Sequence, residues 1–276
     1  MTAVRITVRL VLAWIALLVS QMIAGMVIHV NAPPMPNVMA WLMLSDAVIV
    51  IALSAAELRS DWRGWTLARA LFFIPAAIVT VNMIEGMIFL PNAHIDWRNT
   101  IALTIAGFLV AAVLWLLIFR GASVPESEWN ELPHRSVTTM LVRFAGCAAI
   151  YVFLYFLAGS IIFPYVRDFY ATQHVPGPGQ IVALQFFFRG PVFILVCLTL
   201  LRMFRLPHLA GALATGLAFT LLSGVAPLVI PNPVFPDYVR WVHFGEVVSS
   251  NFVFGCVVGW VWGHAHKVGR LAAAHA

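Results

Sequence analysis

Four ionisable residues lie inside long apolar stretches of this sequence: Asp46, Glu85, Arg189 and Glu246. A charged side chain in the hydrocarbon core of a bilayer is costly, so such residues usually face a protein interior or water and have a function. At about 1.5 Å per helical residue, Asp46 and Arg189 lie roughly 12–14 Å below the outer end of their stretches, and Glu85 and Glu246 roughly 7–9 Å. All four are therefore expected in one half of a membrane.

The last apolar stretch opens with RWVHFGEVVSSNFVFG, residues 240–255, and is unusually polar at its start. His243, Glu246 and Ser250 recur at i, i+3 and i+7, which places them on one face of a helix. Asn251 follows directly. This pattern favours an outward-open polar cavity. The alternative is a first helical turn at headgroup level, where His and Glu need no partner.

Two more pairs have helical spacing. Asn82 and Glu85 are one turn apart in VNMIEGMIF, and Gln185 and Arg189 are one turn apart in ALQFFFRG. The planar guanidinium fork of arginine binds two oxygens of a carboxylate or phosphate at once. A small anionic or zwitterionic solute, or a lipid, is therefore the ligand class considered. The candidate ligand-binding residues are Asp46, Asn82, Glu85, Gln185, Arg189, His243, Glu246, Ser250 and Asn251.

Asp46 and Arg189 occupy nearly equal depths in the second and sixth apolar stretches. An ion pair between them would offset the desolvation of both charges. The sequence leaves open whether such a pair contacts a ligand or only locks two helices together.

Metal binding and covalent catalysis are weaker alternatives. His243 and Glu246 have the spacing of two ligands on one turn, and Glu85 would complete a metal site. No other cofactor is predicted. Ser249, Ser250 and Asn251 lie near His243, but the sequence has no nucleophile-elbow, zinc-protease, phosphate-loop or dinucleotide-binding motif.

The composition of the chain indicates which structural elements position these residues. The chain has 276 residues, of which 62% are hydrophobic and 10% charged, and its mean hydropathy is +0.94. These values are typical of an all-α polytopic membrane protein. Eight spans are predicted, at about residues 8–30, 38–57, 66–90, 99–120, 139–163, 180–201, 208–230 and 240–263.

The basic residues indicate the orientation. They collect in the loops at one end of the predicted spans, and by the positive-inside rule both termini are cytoplasmic. The net charge of +5 therefore reflects topology, and no nucleic-acid partner is predicted. All basic residues except Lys267 are arginine, which suggests a GC-rich genome and favours a bacterial inner membrane.

Similar residues recur in the two halves in the same order. Pro34-x-Pro36 precedes the second span as Pro176-x-Pro178 precedes the sixth. The spacing predicts two parallel four-helix repeats. The expected boundaries are residues 1–120 for the first repeat, 121–137 for an acidic cytoplasmic linker, 138–266 for the second repeat and 267–276 for a short cytoplasmic tail.

Two further segments carry open alternatives. Gly255, Gly259 and Gly263 are spaced for close helix approach, and we expect them to pack within the chain, with a homodimer seam as the alternative. The aromatic segment 163–179 is expected to be an outer loop, either an interfacial anchor or a lid.

Three functional hypotheses remain. The first is binding or transport of a small solute at an outward-facing cavity between the repeats. The second is a membrane-embedded enzyme acting on a lipid or periplasmic substrate through an acid–base or metal site. The third is a structural or accessory subunit whose polar groups only join helices. The duplication and the intramembrane charges favour the first.

Overall fold

The computed structural model describes residues 3–29, 37–90, 95–119, 136–173, 175–231 and 235–263, and the regular structure in these ranges is entirely helical. Eight helices are long and apolar enough to cross a membrane. The chain is accordingly a multi-pass membrane protein, as the composition predicts. In chain order the helices are α1 (Ala3–Val27), α2 (Val38–Glu57), α3 (Gly64–Phe89), α4 (Trp97–Ile118), α5 (Val137–Tyr170), α6 (Pro178–Phe204), α7 (His208–Val229) and α8 (Asp237–Trp262).

Helix α5 is longer than its apolar pattern predicts. It continues through Pro164 to Tyr170, so the first half of the predicted outer loop 163–179 is helical. Proline removes one backbone hydrogen bond but does not end this helix. The extension is a correction to the loop prediction, and it carries Tyr170 to the site described below.

The eight helices pack in a regular arrangement. In the first half, α4 packs against α1 and α3, and α2 packs against α1. In the second half, α8 packs against α5 and α7, and α6 packs against α5. The two halves meet through α2 and α3 on one side and α6 and α7 on the other. Buried aromatic side chains, including Phe193, Phe219 and Phe254, fill the second half.

Two π-helical turns interrupt the helices at the interface between the halves. They span Gln185–Arg189 in α6 and Leu221–Val225 in α7. Each is followed within two residues by a proline, Pro191 or Pro227. A proline ring cannot donate to the preceding turn and clashes with it, and a widened turn accommodates both effects. Such turns are frequent at functional sites.

The glycines of α8 pack against α7 of the same chain, as predicted. A Cβ built on Gly255 would lie 2.8 Å from the Cα of Gly216, and one on Gly259 would lie 2.6 Å from the Cα of Ala212. Only residues without a side chain allow this approach. A Cβ on Gly263 would meet His208. Gly255 and Gly259 are buried in this contact with α7, and the homodimer seam stays an untested prediction.

Arg240 joins the C-terminal end of α7 to the first turn of α8. Its buried guanidinium donates to the carbonyl oxygens of Leu228 (3.0 Å) and Val229 (3.2 Å) at the end of α7, and to Asp237 Oδ1 at 2.9 Å. The last carbonyls of a helix have no partner within it, so a cation there satisfies them.

Several sequence predictions fall outside the described residues. These are the linker 121–137 except its last two residues, the tail 267–276, and the first Pro-x-Pro segment.

Candidate functional site

One polar network joins α3 and α6 across the interface between the halves. Arg189 Nη1 is ion-paired with Glu85 Oε2, and Arg189 Nη2 donates to Asn82 Oδ1 at 3.0 Å. Gln185 Nε2 donates to the other Glu85 oxygen at 2.8 Å. The predicted helix faces of Asn82–Glu85 and Gln185–Arg189 therefore contact each other directly.

Aromatic rings enclose the arginine of this network. The guanidinium carbon of Arg189 lies 5.1 Å from the ring centre of Phe193 and 5.9 Å from that of Tyr151. The Arg189 side chain is 8% exposed and that of Glu85 18%. In such surroundings the attraction between the charges and their desolvation nearly cancel, while loss of one partner leaves a buried, unpaired charge.

A second polar network lies on α8 and the C-terminal end of α5. His243 Nδ1 and Glu246 Oε2 lie 2.6 Å apart, and His243 Nε2 lies 2.8 Å from the Tyr170 hydroxyl. With Nδ1–H donating to the carboxylate, a neutral His243 accepts the phenolic hydrogen at Nε2. The helical extension of α5 is what brings Tyr170 to this histidine.

The two networks form parts of the wall of one cavity of about 280 Å³. Polar side chains come from α3, α5, α6, α7 and α8, and apolar ones from Phe89, Trp97, Phe235 and Leu228, among others. Ligand sites commonly measure about 300–1,000 Å³ and combine an apolar lining with a few convergent polar groups. The polar groups here are Asn82, Glu85, Tyr155, Tyr170, Arg189, Ser223, His243 and Glu246.

Asp46 lies apart from this cavity. Its Oδ1 accepts a hydrogen bond from Gln21 Nε2 at 2.9 Å, and its buried Oδ2 has no hydrogen-bond partner among the described residues. The predicted ion pair with Arg189 is therefore wrong, because Arg189 is bound to Glu85. Asp46 is also not among the residues that line this polar cavity.

Ser250 and Asn251 both line a separate small cavity of about 30 Å³, together with Tyr155, Arg189 and Glu246. Asn251 also joins two helices, because its Nδ2 donates to Ser223 Oγ at 2.8 Å, a buried bond between α8 and α7. Neither residue lines the larger polar cavity itself.

The residues proposed as metal ligands do not form a ligand set. Glu85 is bound to Arg189, whereas His243 and Glu246 are bound to each other. Within the described part of the chain, no group of three His, Cys, Asp or Glu residues is placed to hold a metal ion.

The sequence pattern missed two tyrosines of the cavity. Tyr155 lines the polar cavity and the small cavity beside it, and Tyr170 bonds to His243. Aromatic residues in a membrane helix look like ordinary apolar surface in a sequence.

A third missed residue lies at the opposite end of the molecule. Glu57, the last residue of α2, is 1% exposed, and neither of its carboxylate oxygens has a hydrogen-bond partner among the described residues. Its position at the end of an apolar stretch gives it the pattern of a solvated flanking residue. The predicted cytoplasmic half is thus not free of buried polarity.

No protein-family model, curated protein sequence or solved structure matches this chain.

Proposed function

We propose that this protein binds a small polar solute in the cavity between its two halves. The observation that carries the proposal is that two separate polar networks, Glu85–Arg189 and Glu246–His243, border one cavity of about 280 Å³. Side chains that served only to join helices would have no need to converge on a common space. A lining of mixed aromatic and polar groups is typical of small-molecule sites.

The charges of the cavity favour an amine-bearing ligand. The cavity wall has two carboxylates, Glu85 and Glu246, but a single guanidinium, that of Arg189. Arg189 already binds Glu85 and Asn82. A purely anionic ligand would have to displace Glu85. An ammonium group can be held by Glu246 and by the faces of nearby tyrosine rings. We therefore infer a zwitterionic or cationic ligand in place of an anionic one.

The proposal includes a duplicated architecture. The packing of α4 between α1 and α3 parallels that of α8 between α5 and α7. Polar contacts across the interface also correspond, because Ser45 of α2 bonds to Ala226 of α7 (2.7 Å) and Arg189 of α6 bonds to Glu85 of α3. Both join the second helix of one half to the third helix of the other. With both termini cytoplasmic, the cavity opens to the outer side.

A binding assay with soluble compounds tests the proposal. The protein in lipid nanodiscs would be titrated with ethanolamine, phosphoethanolamine and glycine betaine, and with acetate and inorganic phosphate as anions. We expect one or more of the amine compounds to raise the unfolding temperature and to give heat on titration, since a ligand that binds only the folded state stabilises it.

Two variants make the assay specific. Glu246→Gln removes a charge from the cavity and is expected to abolish binding. Asp46→Asn removes a carboxylate that lies within a predicted span but outside the cavity, and it is expected to leave binding intact. Failure of every amine compound to bind, or equal binding by Glu246→Gln and the native protein, would overturn the proposal.

A second function is favoured by the Tyr170–His243–Glu246 chain. A histidine held between a carboxylate and a phenol has the arrangement of an oriented general base. The chain would then be an enzyme acting on a lipid or periplasmic substrate. Hydrolysis of chromogenic ester and phosphodiester substrates by the native protein, lost in His243→Gln, would support this function. Equal rates in both would exclude it for these substrates.

A further inference from the structure

A larger, apolar cavity adjoins the polar one. Its volume is about 760 Å³, and most of its lining comes from residues 155–170 of α5, with Val175 and Ile181 contributing near the start of α6. Many of these side chains are hydrophobic, and several are partly or fully exposed. We name this space the outer groove. Its apolar lining includes Phe89, Phe156, Ile162, Phe163, Val166, Val175 and Ile181.

The outer groove and the polar cavity share part of their walls. Phe89, Tyr155, Tyr170, His243 and Glu246 line both spaces. The carboxylate and imidazole of the second polar network therefore lie where the apolar space meets the polar one. A molecule that filled both would need a hydrocarbon part and a polar part joined end to end.

The groove opens sideways between two helices. Extensive packing of α6 against α5 begins at the π turn Gln185–Arg189 and continues through Gly190–Phe204. The first two turns, Pro178–Leu184, lie before this contact and contribute Ile181 to the groove. The close approach of α5 to α6 is at Gly190, where an added Cβ would lie 3.3 Å from the Tyr151 ring. Beyond this contact the groove is lined by the exposed side chains of Phe156, Phe163 and Val175, a surface that would face lipid in a membrane.

We propose that the ligand is an amphiphile whose hydrocarbon chain occupies the outer groove and whose amine-bearing headgroup enters the polar cavity. This inference rests on the proposed function, because it names the ligand class of the same site. The lateral opening admits the chain from the bilayer without exposing it to water. Glu246, at the shared wall, meets the ammonium group of the head. A phospholipid with an ethanolamine headgroup has this chemistry, as does any other aminated lipid.

Photocrosslinking in a membrane tests the proposal. The protein would be reconstituted with a phosphatidylethanolamine that carries a diazirine on one acyl chain, or with the phosphatidylglycerol of the same chains. We expect the ethanolamine lipid to label peptides of residues 155–171 and 178–184 at least fivefold more than the glycerol lipid. Equal labelling by the two lipids would overturn the proposal, since it would indicate ordinary contact with bulk lipid.

Two matched leucine variants on α5 test where the hydrocarbon chain of the lipid lies. Gly159 lines the groove, and a Cβ there would lie 4.0 Å from Glu246 Oε1, an ordinary contact. Gly159→Leu should fill the groove and lower labelling by the ethanolamine lipid at least fivefold. Gly146 of the same helix is exposed and has nothing within 4 Å of an added Cβ, so Gly146→Leu should leave labelling unchanged. Ile181→Trp fills the opposite wall and replaces Gly159→Leu if that variant fails to fold.

The soluble headgroup separates failure of this inference from failure of the proposed function. Phosphoethanolamine binding that survives Gly159→Leu while lipid labelling is lost would support both. If phosphoethanolamine binds but neither groove variant alters lipid labelling, the site proposed for the hydrocarbon chain is overturned. The proposed function then stands. Absence of both soluble binding and lipid preference would overturn the two together.

Discussion

Arg189 of α6 is ion-paired with Glu85 of α3, not with Asp46 of α2. This pair connects the two halves of the molecule and forms part of the wall of the polar cavity. It also binds Asn82 and Gln185, so it is a shared element of packing and of the candidate site.

The pairing predicts an energetic coupling that can be measured. Removing one partner of a buried ion pair leaves an unpaired charge and costs about 3–5 kcal/mol. Because the Glu85 side chain keeps some exposure, we expect Glu85→Gln and Arg189→Met each to lower the free energy of unfolding by about 3 kcal/mol. The double variant should lose less than their sum. Reversible unfolding in bicelles would provide the three values.

Asp46→Asn is the control for this comparison of the single and double variants. Asp46→Asn keeps the hydrogen bond from Gln21 and removes no ion pair. Its effect should add to that of Arg189→Met within about 0.5 kcal/mol, as for sites without shared partners. A strong coupling of Asp46 with Arg189, or none between Glu85 and Arg189, would contradict the pairing described here.

The contact between α7 and α8 predicts a size limit at Gly259. An added Cβ would lie 2.6 Å from the backbone of Ala212, so the helices must separate to accept it. We expect Gly259→Ala to destabilise the protein by about 1–3 kcal/mol, the usual cost of overpacking. Gly146→Ala, where the added methyl group meets nothing, should be neutral or stabilising by up to about 1 kcal/mol. Thermal unfolding of both variants in one detergent would compare them, and equal effects would refute the close contact.

The sequence was sufficient to predict the eight long apolar helices and five of the eight polar residues that line the polar cavity. Hydropathy identifies eight spans because a segment that crosses a bilayer must be a continuous apolar helix, in which the backbone hydrogen bonds are satisfied internally. Helical spacing correctly placed Gln185 with Arg189 and His243 with Glu246. It failed on the partner of Arg189, because the rotation of one helix about its axis relative to another is set by packing. By the depths estimated from the sequence, Arg189 lies deeper in its span than Glu85, and the long arginine side chain spans this difference.

Two features that complete the site had no clear pattern in the sequence. Helix α5 passes through Pro164, which usually indicates a helix end, and this continuation brings Tyr170 to His243. The π turn Gln185–Arg189 shifts the helix face by a residue, and periodicity alone cannot reveal such a shift. Gly190-Pro191 marks the place, but a proline also allows a simple kink.

Arg240 predicts a contrast between a backbone contact and an exposed ion pair. Its guanidinium satisfies two carbonyl oxygens at the end of α7, while its acidic partner Asp237 is 79% exposed. Arg240→Met should destabilise the protein by about 1.5–3 kcal/mol, the range for hydrogen bonds to charged groups. Asp237→Asn should cost less than about 1 kcal/mol. Similar losses in the two variants would mean that the ion pair dominates. Chemical unfolding of the two variants side by side decides between these outcomes.

The distribution of basic residues predicts the sidedness of the molecule. Trp65, at the start of α3, and Asp237, at the start of α8, lie at opposite ends of the predicted spans, and both are exposed. In intact cells, a membrane-impermeant maleimide should label Asp237→Cys at once and Trp65→Cys only after permeabilisation. Replacing the native Cys147, Cys197 and Cys256 by Ala removes the background. Labelling in the reverse order would place both termini outside, and the polar cavity would then open to the cytoplasm. The proposed ligand would in that case be drawn from the inner leaflet, which the crosslinking lipids can test when they are confined to one leaflet.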